Sequence, residues 1–300
     1  MGSYTVLKQR ENAHSDIVWS CAWASPSCLI TGSLDTSAKV WGLTADGRLD
    51  NKFVFEGHTL GVISVDVSGD GKIIATSALD NKIRLFDLEK ESELQTINAA
   101  ENVDSWTIRF SKDGKHIATG SNSGKVNLFN TGTGAKDREF DAGKFAHCVA
   151  FSPDGKILAA GTVDGMVMAF DLESGKLVHH LEAHAMPIRA VAFSPDSSHI
   201  ITGSDDRQIK IYSLKQEDLV KTLTGHASWI LGLDFSPEGA HFASASSDKK
   251  VKIWDFTGHE CIQTFEHHQN QVTDVKYNQS GTKLASVSDD QSIVIYDHTK

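Results

Sequence analysis

The chain has 300 residues, with 29 Lys+Arg against 39 Asp+Glu, a formal net charge of −10, and 40% hydrophobic residues. An acidic balance argues against a broad nucleic-acid surface, because binding a phosphate backbone leans on clustered Lys and Arg. No apolar run approaches the roughly 20 residues of a membrane-spanning helix, and the N-terminal MGSYTVLKQR lacks the apolar stretch of a signal peptide, so neither nucleic acid nor a membrane is expected as a direct partner.

Small motifs add little. Gly2 suggests myristoylation, but Val6 stands where that pattern needs Ser or Thr. Cys21, Cys28, Cys148 and Cys261 share no short spacing, which predicts reduced thiols rather than a disulfide framework or a zinc site. The sequon at Asn278-Gln279-Ser280 reads as a polar turn.

In chain order, the segments repeat. Unit one opens at His14, carries Thr31 and Asp35, and ends in VWG (40–42). Unit two has His58, Thr76, Asp80 and LFD (85–87). Unit three keeps Thr119 and ends in LFN (128–130), with Glu101 in the His position and Ser123 in the Asp position. Unit four keeps Asp164 and AFD (169–171) but has Ala142 and Ala160 in place of the His and the hydroxyl residue. Unit five restores His184, Thr202, Asp206 and IYS (211–213); unit six has His226, Ser244, Asp248 and IWD (253–255); unit seven has His268, Ser286, Asp290 and IYD (295–297). The aromatics Trp41, Phe86, Phe129, Phe170, Tyr212, Trp254 and Tyr296 are 45, 43, 41, 42, 42 and 42 residues apart.

Within the units, AVAFSPDS (190–197) and LDFSPEG (233–239) place apolar runs directly before turn-forming Pro, Asp and Gly. QIKIYSL (208–214) and KVKIWDF (250–256) alternate with period two, and no stretch supports a long amphipathic helix. About four strands per unit are predicted. Strands apolar on both faces need cover on both sides, which stacking like units around an axis supplies.

These fixed points resemble the WD-repeat family, whose fold is an all-β propeller of four-stranded blades. The resemblance implies one seven-bladed propeller over residues 1–300. In that family a His, a Ser/Thr, an Asp and a Trp form a buried hydrogen-bonded tetrad. The matching residues are His14, His58, His184, His226 and His268, with Asp35, Asp80, Asp164, Asp206, Asp248 and Asp290, and with Trp41 and Trp254. They are read as structural, since buried imidazoles and carboxylates need partners. The last unit ends after its third strand, so the outer strand of that blade is expected from about residues 4–10, closing the ring and removing an exposed edge.

Several features invite a chemical reading. His179-His180, His267-His268 and the nearby His259 and Cys261 lack the spacing of a metal site, so no metal and no cofactor is expected. TGTGAK (131–136) departs from the phosphate-loop pattern and falls after a strand end, where a turn belongs. Aspartates that recur once per unit mark structure, whereas an active site occurs once, so catalysis is not expected.

Three tryptophans stand outside the repeat pattern. Trp19 and Trp106 lie five residues after His14 and Glu101, and Trp229 lies three after His226. In WD-repeat proteins such positions, with the residue before the turn Asp, line the top rim where partners bind. The matching positions here include His147, Arg189, Leu231, Asn122, Asp205, Ser247 and Asp289. With Asp104 nearby, Asp205 and Asp289 suggest a ligand segment that joins an Arg or Lys to an apolar side chain.

Within the family, LGVISVDVS (60–68), HAMPIRAVAFSPDS (184–197) and GHASWILGLDFSPEGAHFASASSDKKVKIWD (225–255) resemble the branch that supplies the animal WD-repeat subunit of the superkiller (Ski) complex, shared with the RNA polymerase II-associated Paf complex. The 13 residues before His14 are too few for both a closing strand and the N-terminal helix of a G-protein β subunit. The resemblance implies a non-catalytic scaffold, monomeric when isolated, in nucleus and cytoplasm. Its partners would be the superkiller helicase and tetratricopeptide scaffold, which serve 3′-to-5′ messenger RNA decay, and the Paf subunits, which serve transcription elongation. The alternatives are a histone-tail-reading propeller and an enzyme with its site in the central funnel.

Overall fold

The computed structural model describes residues 3–98 and 106–299, so Glu101 and Asp104 lie outside the described residues. Its regular elements are 28 strands in seven four-stranded antiparallel sheets. In the first blade, β2 (Val18–Ser25), β3 (Cys28–Ser33), β4 (Ala38–Leu43) and β5 (Leu49–Phe55) follow one another outward. The other innermost strands are β6 (Val62–Val67), β10 (Thr107–Phe110), β14 (Ala146–Phe151), β18 (Ile188–Phe193), β22 (Ile230–Phe235) and β26 (Val272–Tyr277).

Turn chemistry fixes the hairpins. After β6, the Ser68 hydroxyl donates to Asp70 (2.6 Å), which also accepts from the Lys72 N–H (3.1 Å). Gly71 then takes φ +74°, and a Cβ there would lie 2.3 Å from the Ala24 carbonyl oxygen, so a side chain is excluded. Ser111 with Asp113 and Ser152 with Asp154 repeat the arrangement.

The core lies between blades, which is why the strands are apolar on both faces. Ala22, Ile30, Val40 and Phe55 of the first blade pack against Val62, Val65, Ile74 and Phe86 of the second. Each such side chain stabilises the ring by about 1.5–3 kcal/mol on burial. The seventh sheet has the order β1-β28-β27-β26, where β1 (Ser3–Arg10) pairs antiparallel with β28 (Ile293–Thr299), and β27 spans Lys283–Ser288. The N-terminal strand is thus the outer strand of the last blade.

Among the described residues, the tetrads that include a Trp are complete in the first and sixth blades. The Trp41 indole N–H donates to Thr31 Oγ1 (2.8 Å), so the Thr31 hydroxyl proton goes to His14 Nε2 (2.7 Å) and His14 Nδ1–H donates to Asp35 (2.8 Å). Trp254, Ser244, His226 and Asp248 repeat this at 2.8, 2.7 and 2.8 Å. Burial would raise the Asp248 carboxyl, but hydrogen bonding to His226 and the Ala227 N–H bring it down to about 2.

Asp164 does not belong to a tetrad, because unit four has Ala142 in place of the opening histidine. It accepts instead from Thr162 within its own turn (2.5 Å). Ala142, Ala160 and Phe170 share one buried apolar cluster there. At these positions the blade has exchanged a polar network for hydrophobic contact. Blade three differs again, since the buried Thr119 hydroxyl has no hydrogen-bond partner among the described residues.

Candidate functional site at the channel mouth

The innermost strands line a central channel, and a register shift near the start of most of them sets which side chain points inward. In β2 the shift falls between Val18 and Ser20, which turns Trp19 out of the ladder. Strand register makes Ile63, Trp106, His147, Arg189, Leu231 and Thr273 its equivalents, each five residues after the repeat's opening position. All seven, together with Trp229, border one cavity of about 210 Å³ at the channel mouth.

The structure therefore brings Trp19, Trp106, His147, Arg189, Trp229 and Leu231 to one place. Trp229 is not equivalent to the other two tryptophans. It stands in the loop before β22, two residues ahead of Leu231, and is 46% exposed, whereas Trp19 and Trp106 are partly covered by the channel wall. The Arg189 guanidinium lies over its ring, 5.6 Å from the centroid, a cation–π contact.

The acidic rim is smaller than the sequence suggests. Asp205 is only 6% exposed and takes two hydrogen bonds from Arg189, at 2.9 and 2.8 Å, so its charge is spent within the protein. Asp289 remains half-buried, with the Gln271 amide donating at 3.4 Å.

Sequence reading missed Phe145, whose ring packs on His147 (centroids 4.1 Å apart) and meets Trp106 edge-on (6.1 Å). A signal existed: Phe145 stands three residues after Ala142, as Trp229 does after His226. It also missed the exposed Leu60, Leu79, Val163 and Met186, which occupy loop positions on the same face. Among the described residues, apolar side chains border the mouth on blades one to six, and Arg189, Ser228, Ser247, Gln271 and Asp289 add polar groups over blades five to seven. His147 is buried with its Nδ1 unpartnered. Burial, and secondarily the Arg189 charge, push its pKa down to about 4, so a neutral imidazole faces the cavity.

Lower in the channel, Arg109, Val191, Leu233 and Lys276 form a waist bordering both this cavity and a second one beneath it. Asp66, Arg109, Asp234 and Lys276 occupy one equivalent strand position. Their carboxylates stitch neighbouring blades: Asp66 accepts the Phe110 N–H and Asp234 the Tyr277 N–H, each at 2.7 Å. Asp274 likewise accepts from the Ser20 hydroxyl and the Cys21 N–H, both at 3.2 Å, and from Lys276 at 3.1 Å. Burial pushes the Cys148 thiol up to about 12, which makes it a poor nucleophile. This cluster fastens the ring.

Burial also raises the Asp234 carboxyl from 3.8 to about 6. A carboxyl raised on folding contributes stability at low pH that is lost as pH rises through about 6. Asp234→Asn keeps the acceptor for Tyr277 and removes the charge. It is expected to be more stable than wild type at pH 7, by up to about 3 kcal/mol, with the gap closing below about pH 4. Melting curves at both pH values check this, and a gap that does not change with pH would contradict it.

The repeat geometry has its counterpart among known proteins. The chain matches the WD domain, G-beta repeat, over residues 5–42, 50–87, 92–130, 140–171, 175–213, 217–255 and 259–297. It belongs to the WD-repeat family. WD-repeat propellers are generally protein-interaction scaffolds. Among curated relatives, this WD-repeat chain is similar to WD repeat-containing protein SL1-17 of Schistosoma mansoni, 40% identical over 193 residues, covering 62% of this chain and 63% of that protein. It is 35% identical over 204 residues to WD repeat-containing protein VIP3 of Arabidopsis thaliana, covering 61% and 62% respectively. Superkiller complex protein 8 of Dictyostelium discoideum is 34% identical over 92 residues, covering 31% and 30%. The matches thus span less than two thirds of these relatives' own length.

Proposed function

We propose that this WD-repeat chain is a non-catalytic scaffold subunit of the superkiller complex and of the Paf complex. On this reading it acts in cytoplasm and nucleus and holds partner peptides at its channel mouth. The observation that carries the binding role is the convergence of Trp19, Trp106 and Trp229 on one cavity with His147, Arg189 and Leu231. The complex membership is supported by the segments around HAMPIR (184–189) and by the likeness to the Dictyostelium discoideum superkiller protein. A partner segment would set an apolar anchor among the tryptophans and meet Gln271 and Asp289 with polar groups. Messenger RNA contact would belong to the helicase, in keeping with the net charge of −10.

Truncating a tryptophan hot spot costs about 2 kcal/mol or more, which is about 30-fold in affinity. A tagged pull-down from extract of the source species should therefore recover the superkiller helicase, its tetratricopeptide scaffold and Paf subunits with wild type. The Trp19→Ala, Trp106→Ala, Trp229→Ala variant, folded by circular dichroism, should lose them. Retention by the variant would refute the rim as the binding site, and their absence from the wild-type eluate would refute the complex membership.

A further inference from the structure

On the face opposite the tryptophan mouth, three side chains from distant parts of the sequence converge at the seam between the sixth and seventh blades. Glu238 sits exposed on the turn after β22, His241 begins β23 (His241–Ser246), and His298 lies near the end of β28. One ligand atom from each lies within 4.8 Å of the others. His241 and His298 are 57 residues apart, which is why spacing gave no signal.

The surroundings hold both rings in place. His298 is 5% exposed and stacks flat on Tyr4 of β1, with centroids 4.2 Å apart and planes at 2°. Its Nδ1 lies 3.0 Å from the Gly281 carbonyl oxygen, which takes the Nδ1–H and leaves Nε2 its lone pair. His241 has the Tyr4 hydroxyl 3.4 Å from Nδ1 and an Asp255 oxygen 4.0 Å from Nε2. Carbonyl and carboxylate partners of this kind orient histidines that ligate metals. Glu238 Oε1 stands 4.0 Å from His298 Nδ1, the nitrogen that faces Gly281, so the carboxylate has to swing toward Nε2 to share an ion.

We propose that Glu238, His241 and His298 bind a divalent transition-metal ion of the zinc class at the seam where β1 closes the ring. Two imidazoles and one carboxylate suit zinc rather than magnesium or calcium, with water completing the tetrahedron. Ligand atoms around zinc stand about 3.3 Å apart, so a set spread over as much as 4.8 Å must contract on binding. Glu238, exposed on its turn, can move inward to do so. The ion would join blade six to blade seven beneath Tyr4 and act as a clamp on ring closure.

The test uses the full chain, stripped with chelator, and titrated with Zn²⁺ by calorimetry and with Co²⁺ by visible absorption. One equivalent of Zn²⁺ should bind and raise the Tm, and Co²⁺ should give ligand-field bands. Glu238→Gln and His241→Asn should each weaken binding at least tenfold and abolish the Zn²⁺-dependent Tm rise while keeping the metal-free fold. His298 is left intact because it supports Tyr4. No stoichiometric binding, or binding unchanged in both variants, would overturn the proposal.

Discussion

Deleting residues 1–10 is expected to lower the Tm by more than about 10 °C. β1 supplies the outer strand of the seventh blade, pairing from Ser3 against Thr299 to Arg10 against Ile293. Its Tyr4 is 2% exposed and donates or accepts at 3.0 Å with the Tyr277 hydroxyl, while the Gln263 amide of β25 (Glu260–Phe265) donates to its carbonyl at 2.8 Å. Removing an aromatic of this burial costs about 3–5 kcal/mol, and the backbone ladder adds to that. A chain of this size loses about 2 °C or more per kcal/mol. Deletion also leaves β28 as an open edge whose side chains Ile293 and Ile295 on one face and Val294 and Tyr296 on the other are fully buried, so self-association should accompany the loss of stability. Scanning calorimetry and light scattering on the deletion measure both, and a melt within 2 °C or so of wild type would show that closure does not depend on this strand.

The same conservative substitution should have opposite signs in two equivalent positions. Thr31→Val in the first blade removes the hydroxyl that accepts from Trp41 and donates to His14. Both partners are buried, and two unpaired polar groups cost about 2–4 kcal/mol. Thr119→Val in the third blade removes a hydroxyl that is buried without a partner among the described residues, and keeps the volume. It should be neutral or stabilise by up to about 1 kcal/mol, since replacing an unsatisfied polar group relieves its desolvation. Denaturant unfolding of the two variants decides the matter, and equal destabilisation would mean that side-chain shape rather than the hydrogen bonds governs these positions.

The two substitutions show what a repeat pattern carries and what it does not. The fixed points of unit one and unit six predicted networks that the structure contains, because a buried imidazole that donates to a carboxylate needs a donor for its other nitrogen, which the hydroxyl supplies. The same logic overreached at Asp164, where alanines at positions 142 and 160 had already removed the need for a tetrad. The rim was legible for a similar reason. Equivalent offsets from the opening residue placed Trp19, Trp106, His147, Arg189 and Leu231 on one strand position, and the cavity gathers them.

The sequence by itself determined the blade number, the strand content and the closing strand, because these follow from local periodicity, turn residues and the phase at which the last unit stops. Tertiary structure alone decided which charges remain available. Asp205 looks like a rim acid in sequence, but Arg189 neutralises it across the blade. The stitching carboxylates Asp66, Asp234 and Asp274 act on neighbouring blades. The Glu238, His241 and His298 group is brought together by the seam of the ring. Interactions within a repeat recur at fixed spacing and can be read along the chain, whereas those between blades depend on which unit becomes whose neighbour when the ring closes.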